Sequence, residues 1–399
     1  MLKNSNRIVT IVTGPIVGLN STDFLDKAAA LAEANGLKMK VFNLFDEIID
    51  IAGIISDTDS DEEADKKYID YVGELLNGYE YQFKMQRDNA YLSIARKMDK
   101  LPKGMNVVIR TPASIEWRGV NVILKDHRVI SEYIKPDRIV TLIDAEWKIM
   151  ERIKKGIYKK RLKIIAHLGD LGVEKVLQWL GSEVSVSEDW AEWAKQLTGK
   201  KVKHLVLGMN CPKKTNRKKY TFDIENMIKI ATAKKMVSFY SSYSMTVATE
   251  KARKEINSLV WRLREYGVVI DPAAIEIGTN IDKKDESVVF AYTVCRDLRW
   301  DVQKVDIIPA FHPYEKKPPL STGMMDELGH ARAFKKERYL VLPSGGGSPF
   351  TRDNYVPAEH VFKSGKDFFR FIETKRKLRP QFRKLTQAFI KWQRNNISK

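Results

Sequence analysis

Two cysteines in 399 residues cannot build a disulfide framework, and neither Cys211 nor Cys295 has the spacing of a metal ligand. Long apolar runs are missing as well. Nothing approaches the roughly 18 consecutive apolar residues that span a bilayer. The apolar stretch 8–12 is short and leads at once into a loop, so it does not read as a signal peptide. These absences exclude a secreted disulfide scaffold and a membrane partner, and they predict a cytoplasmic protein. Acidic charge is also in deficit, with 51 Asp and Glu against 69 Lys and Arg, a formal net charge of +18. The basic residues collect at 154–163, 213–219 and 375–383, none within a nucleic-acid-binding motif. The excess admits a nucleic-acid partner, but a basic surface that attracts anionic small molecules such as nucleotides is the favoured account.

What is present has an α/β rhythm. With 43% hydrophobic residues, a chain of this length is expected to form two domains or three. Residues 7–13 form a β-branched run, followed by a loop at 14–22 and an alanine-rich helix at 23–35 closed by Gly36. A strand follows at 38–43. The acidic stretch 57–65 reads as an exposed loop entering one long helix that reaches about Met98, and further strands are expected at 106–110 and 138–143. Two helices, near 173–180 and 188–197, precede a strand at 202–207. From 236 onward the order is strand, polar loop, helix, strand, helix, strand, proline-rich loop, helix, strand. Strands alternating with helices imply a parallel sheet, and ligands in such sheets bind beyond the carboxyl ends of the strands.

Three features of the C-terminal half carry chemistry. Tyr240, Ser241, Ser242, Tyr243, Ser244 and Thr246 make a hydroxyl-rich loop between a strand and a helix, able to present hydroxyls and helix amides to a phosphate. Simple capping of the next helix explains the same loop equally well. Asp297, in Arg296-Asp297-Leu298-Arg299-Trp300, is suited to handling a proton or a sugar hydroxyl, although surface ion pairing is the commoner fate of such residues. In the run 321–331, Gly323 permits a tight turn and close approach of a ligand. Glu327 is expected in the first helical turn, where the dipole favours the ionised carboxylate that attack on an anomeric carbon requires.

Taken together, Arg-Asp-Leu-x-Trp, Asp306 opening a strand, and Ser-x-Gly-x-x-x-Glu-Leu-Gly-x-Ala resemble the nucleoside 2-deoxyribosyltransferase superfamily, most closely its 2'-deoxynucleoside 5'-monophosphate N-hydrolase branch. The resemblance covers residues 236–343. It implies Glu327 as nucleophile, Asp297 as its catalytic partner, and Ser321 with the 241–246 loop as holders of a 5'-phosphate. Tyr240 and Tyr243 fall on the substrate side, no metal is implied, and homodimers are usual in the superfamily. The first loop lacks the branch's glycine and arginine, and the proline-rich loop at 311–320 is longer than usual.

At the other end, Gly14, Gly18, Asn20, Ser21 and Thr22 lie in the strand-loop-helix setting of a phosphate-binding loop. Counted from Gly14, Leu19 stands where the second glycine belongs and Asn20 where the lysine belongs. Residues 7–165 resemble archaeal-type adenylate kinases and related P-loop kinases in degenerate form. That implies a nucleotide, with ATP and Mg2+, or a scaffold that has lost its ligand. The expected organisation is therefore a kinase-like domain over 1–210, a linker over 211–235, a deoxyribosyltransferase-like domain over 236–363 and a basic helical tail over 364–399, both domains being doubly wound, Rossmann-like α/β units. The expected activity is cleavage or transfer at the N-glycosidic bond of a (deoxy)nucleoside 5'-monophosphate. A nucleotide sensor without turnover and a nucleoside monophosphate kinase are the alternatives.

Overall fold

The computed structural model describes residues 7–15, 21–56, 58–117, 120–154, 172–209, 222–244, 249–274, 283–312, 321–343 and 355–397. Its contacts divide the chain into a first unit of Met1–Met209 with Ile277–Phe290, and a second of Asn210–Glu276 with Ala291–Lys399. Both are α/β with parallel sheets. No helix among the described residues is long and apolar enough to cross a membrane.

The first unit runs β1 (Val9–Thr13), α1 (Ser21–Ala34), β2 (Met39–Asn43), α2 (Leu44–Ala52), α3 (Asp61–Asn77), α4 (Glu80–Lys100) and β3 (Asn106–Arg110). A hairpin of β4 (Ser114–Trp117) and β5 (Val120–Ile123) follows, then a short α5 (His127–Val129) that widens into a π-turn. β6 (Arg138–Ile143), α6 (Glu146–Lys154), α7 (Val173–Thr198) and β7 (Lys203–Gly208) complete it. The sheet order is β2-β3-β1-β6-β7, all parallel, with Val9 opposite Val107 and Thr10 opposite Arg138. The central strands are buried on both faces, which is why β1 reads Val-Thr-Ile-Val-Thr rather than alternating.

Three expectations change here. The acidic stretch is not all loop: Ser60 and Glu63 form a capping box, so Asp61, Glu62 and Glu63 make the first turn of α3, where the helix dipole favours them. The long helix is two, interrupted at Gly78, whose N–H closes α3 on the Glu74 carbonyl at 2.8 Å. The two helices expected between 173 and 197 are one helix of 26 residues, α7. Its buried stripe of Val176, Trp179, Leu180, Glu183, Ser187 and Ala194 keeps helical spacing through polar residues that find partners.

The second unit contains α8 (Phe222–Thr232), β8 (Ser238–Tyr240), β9 (Ser242–Tyr243), α9 (Glu250–Arg264) and β10 (Val268–Ile270). α10 (Glu286–Cys295), which belongs to this unit from Ala291 onward, then runs into a π-turn at Arg296–Val302, followed by β11 (Ile307–Phe311), α11 (Thr322–Ala333), β12 (Glu337–Val341), β13 (Val361–Phe362), α12 (Gly365–Thr374) and α13 (Arg383–Ile397). The parallel order is β10-β8-β11-β12-β13, with β9 continuing β8 against β11.

Two segments set aside from this domain belong to its core. Within the expected linker, 222–232 is α8, with Met227, Ile228 and Ile230 buried; residues 211–221 lie outside the described set. The expected tail supplies Phe368, Phe369, Ile372 and Phe389, all fully buried. It is bound by a charge cluster as well. Glu225 of α8 pairs with Lys229, with Arg264 at 2.8 Å, and accepts from the Thr386 hydroxyl of α13 at 2.6 Å. Burial alone raises the Glu225 carboxyl, but Arg264 and Lys229 outweigh it and the net shift is downward. Burial lowers Lys229 to about 8.

Candidate functional site

In the second sheet the chain passes from β8 to β10 on one side and from β11 to β12 and β13 on the other. The order thus reverses between β8 and β11, and in sheets of this kind the crevice that takes a ligand lies at the carboxyl ends of the strands flanking such a reversal. β8 and β9 share one register against β11, with Phe239 opposite Ile307 and Ser242 opposite Ala310. Between them the Ser241 N–H turns to the Ile270 carbonyl at 3.0 Å. Tyr240 and Ser242 are buried here, each carrying a hydroxyl to the crevice end of the sheet.

Both hydroxyls meet one carboxylate. Tyr240 Oη donates to Glu327 Oε1 at 2.7 Å, and Ser242 Oγ donates to Oε2. Each oxygen therefore has a fixed donor, and the side chain is held in a single orientation. Glu327 is not in the first turn of its helix, as the sequence suggested. α11 begins at Thr322, so Glu327 is the sixth residue, beyond the reach of the terminal amides. Burial then dominates: the carboxyl is pushed up to about 7, against the lowering effect of the two hydroxyls and with a further upward push from Asp297 and Asp326. It is a carboxylate poised at neutrality rather than one locked in its ionised form.

Asp297 faces the same region from the π-turn that follows α10. Its charge raises both Glu327 and Tyr240. Arg296 holds Asp297 by two contacts of 2.9 Å, and burial still raises the Asp297 carboxyl. A π-turn re-aims side chains within a helix and recurs at functional sites; here it sets Arg296 and Asp297 side by side on the inner face. The remaining aromatic, Tyr243, donates to Asp271 Oδ1 at 2.6 Å, and Asp271 also accepts the Ala273 N–H at 3.0 Å. Both are raised by burial, Tyr243 additionally by Asp271 and by Glu327.

The other expected residues divide. Ser244 is buried beside this group, and Thr246 lies outside the described residues. Ser241 ties the backbone: besides its N–H, its Oγ reaches the Ile270 carbonyl at 3.4 Å. Ser321 caps α11, accepting the Met324 N–H at 3.4 Å. Gly323 is not in a tight turn but within the first turn of α11, where an added Cβ would meet nothing within 4 Å. Asp306 sits at the far end of the strand, where Oδ2 accepts the Ser238 N–H at 2.8 Å and hydroxyl at 2.9 Å. It clasps β8 to β11 and is remote from the crevice.

In the first unit, Gly14, Asn43, Phe45, Tyr68, Arg110, Thr111 and Pro112 line a small recess of about 20 Å³ at the carboxyl ends of β1, β2 and β3, room for little more than one water. Arg110 reaches across to Thr22 Oγ1 at 2.8 Å, and Ser21 is buried at the start of α1. Gly18 and Asn20 are outside the described residues. The Gly14 N–H is committed to the Glu183 carboxylate at 3.0 Å. The amide a phosphate would need at the end of β1 thus faces an anion already supplied by α7, so the described residues do not fit a triphosphate with its Mg2+ at that point.

No family model matches the chain, and no curated protein matches it either. The functional reading is carried by the side chains themselves.

Glu183 and Asp271 escaped the sequence reading. Glu183 had a signal: it is an acid within the apolar stripe of a long helix, a position a charge occupies only with partners. Asp271 had one too, since it ends a strand at the carboxyl edge, immediately before Pro272.

Proposed function

We propose that the second unit cleaves or transfers at the N-glycosidic bond of a (deoxy)nucleoside 5'-monophosphate, with Glu327 as nucleophile. The observation that carries this reading is the Glu327 carboxylate, held at both oxygens by Tyr240 and Ser242 where the strand order reverses. With β8 and β9 counted as one strand, the order within the unit is 2-1-3-4-5, which supports a doubly wound, Rossmann-like domain of deoxyribosyltransferase type, with its ligand at the crevice beside the first strand.

Each Glu327 oxygen spends one lone pair on a hydroxyl and keeps one, so an oxygen remains to attack C1' of the sugar. The C1'–N bond breaks, its electron pair leaves with the base, and a glycosyl ester forms on Glu327. Asp297, raised by burial, is the group to deliver the proton to the departing base. Water or a second base then attacks C1', giving its proton to the now ionised Asp297, and releases the Glu327 carboxylate with retention of the anomeric configuration. Ser244, Tyr243 and the amino end of α11 at Ser321 and Gly323 are the groups assigned to sugar and phosphate. The chemistry calls for no metal. A homodimer, a cytoplasmic setting and a preference for nucleotides over nucleic acid belong to the same proposal.

In the first unit Glu183 holds the Gly14 amide, which weighs against phosphoryl transfer there.

Incubating the full chain with a panel of deoxynucleoside and ribonucleoside monophosphates, followed by chromatography for free base, tests the proposal. Base release is expected, and Glu327→Gln is expected to reduce it by roughly 10⁴-fold or more. Undiminished release in that variant rejects Glu327. Phosphate transfer from ATP without base release would identify a kinase, and saturable binding without product a sensor.

A further inference from the structure

The first unit contains a carboxylate with no counter-ion in hydrogen-bonding contact among the described residues but four hydrogen-bond donors. Glu183 is fully buried on α7. Its Oε2 accepts the N–H of Gly14 at 3.0 Å and of Ala113 at 2.9 Å, and its Oε1 accepts the N–H of Ser114 at 2.9 Å and the Ser114 hydroxyl at 3.1 Å. The amides come from two separate chain ends, one leaving β1 and the other entering β4 just after β3. Gly14 has a φ of 139°, a conformation in which a side chain is rarely tolerated.

Anchoring α7 does not by itself require a charge there. One turn earlier Trp179 Nε1 meets the Ser114 carbonyl at 3.4 Å, and one turn later Ser187 Oγ meets Thr13 Oγ1 at 2.6 Å, both neutral contacts on the same stripe. Taking a carboxylate out of water is costly, and it is tolerated only where donors converge on both oxygens. Convergent backbone amides at the carboxyl end of a parallel sheet are how such folds hold oxyanions.

We propose that the amides of Gly14, Ala113 and Ser114 form an oxyanion site that the chain fills with its own Glu183 carboxylate, closing the first unit at this point to a carboxylate or phosphoryl ligand. Three backbone N–H groups, which can only donate, converge on the two oxygens, so the NH2 of an amide would meet a donor in either orientation. Burial pushes the carboxyl up to about 7, and above that pH the anion fills the site. The site is independent of Glu327 and of any activity in the second unit.

Glu183→Ala removes the equivalent of an acetate ion from this site. With the full-length protein, saturating acetate is expected to raise the melting temperature of Glu183→Ala by roughly 3 °C or more. Wild type, whose site is filled, should not respond, and the neutral isostere acetamide should have no effect on the variant. A variant indifferent to acetate, or one rescued equally by acetamide, overturns the proposal: the first shows no anion site, the second a space that any filler occupies. Should Glu183→Ala fail to fold, Glu183→Gln decides. It keeps the shape and loses an acceptor, so it is expected to melt several degrees below wild type at pH 8. Equal melting temperatures there would reduce Glu183 to a spacer and overturn the assignment.

Discussion

Glu327 illustrates how burial and hydrogen bonding compete for one proton. Its pKa of about 7 against an ordinary 4.5 means that the nucleophilic form appears only as pH approaches neutrality. The rate of base release should therefore rise as pH approaches about 7 and fall where Asp297 loses the proton it delivers, a bell that a profile of kcat/KM would show. Tyr240→Phe removes a donor that lowers this pKa, so the rising limb should move upward by about one pH unit; an unmoved limb would mean that another group controls it. The same shift bears on stability. An acid whose folded pKa exceeds its unfolded value contributes stability that is complete below about 4.5 and lost as pH rises through about 7. Glu327→Gln cannot ionise, so between pH 5 and 8 it should lose less stability than wild type, by on the order of 3 kcal/mol in urea denaturation.

The elements contribute through close approach and paired charge. The turn between α9 and β10 places Gly267 where an added Cβ would lie 2.2 Å from the Val237 carbonyl oxygen. Gly267→Ala must push the strand entry apart, at a cost of about 1–3 kcal/mol measurable as a lower denaturation midpoint. Glu225 joins α8, α9 and α13 through Lys229, Arg264 and Thr386, all fully or almost fully buried. Replacing it with alanine strands two buried cations and should cost about 3–5 kcal/mol. A variant as stable as wild type would show that the cations find other partners or reach water. Neither role was legible in the sequence, because a charge on α8 and a glycine before a strand have ordinary surface explanations until their neighbours are known.

Over the whole chain the net charge of +18 favours anionic ligands. If a nucleoside monophosphate is drawn in by that field, its KM should rise several-fold between about 0.1 and 1 M salt, as the Debye length shrinks from about 10 to about 3 Å, while kcat stays level. A KM insensitive to salt would confine recognition to the buried groups around Glu327. Each unit brings its polar residues to the carboxyl ends of its strands, and the two differ in what meets there. The second unit gathers hydroxyls around a carboxylate, whereas in the first a helix closes the strand ends with a carboxylate of its own.

The α/β alternation and the positions of β1, β3 and β6 were legible in the residues alone, because β-branched runs, caps and helical spacing act over a few neighbours; that Ser242 and Tyr243, expected in a loop, form β9 depends on pairing with β11. Glu327 was singled out by a family resemblance, and its hydroxyl partners Tyr240 and Ser242 come from a segment more than eighty residues away. Its protonation was not legible: the expected first turn would have kept it ionised, and only the true start of α11, the burial, and the approach of Tyr240, Ser242 and Asp297 from distant segments set it near 7. Tertiary packing likewise decided that 222–232 and the basic end are core and that Glu183 meets Gly14 across 169 positions of sequence. Such contacts depend on which strands lie side by side, and that order is a property of the assembled sheet that no short stretch of sequence contains.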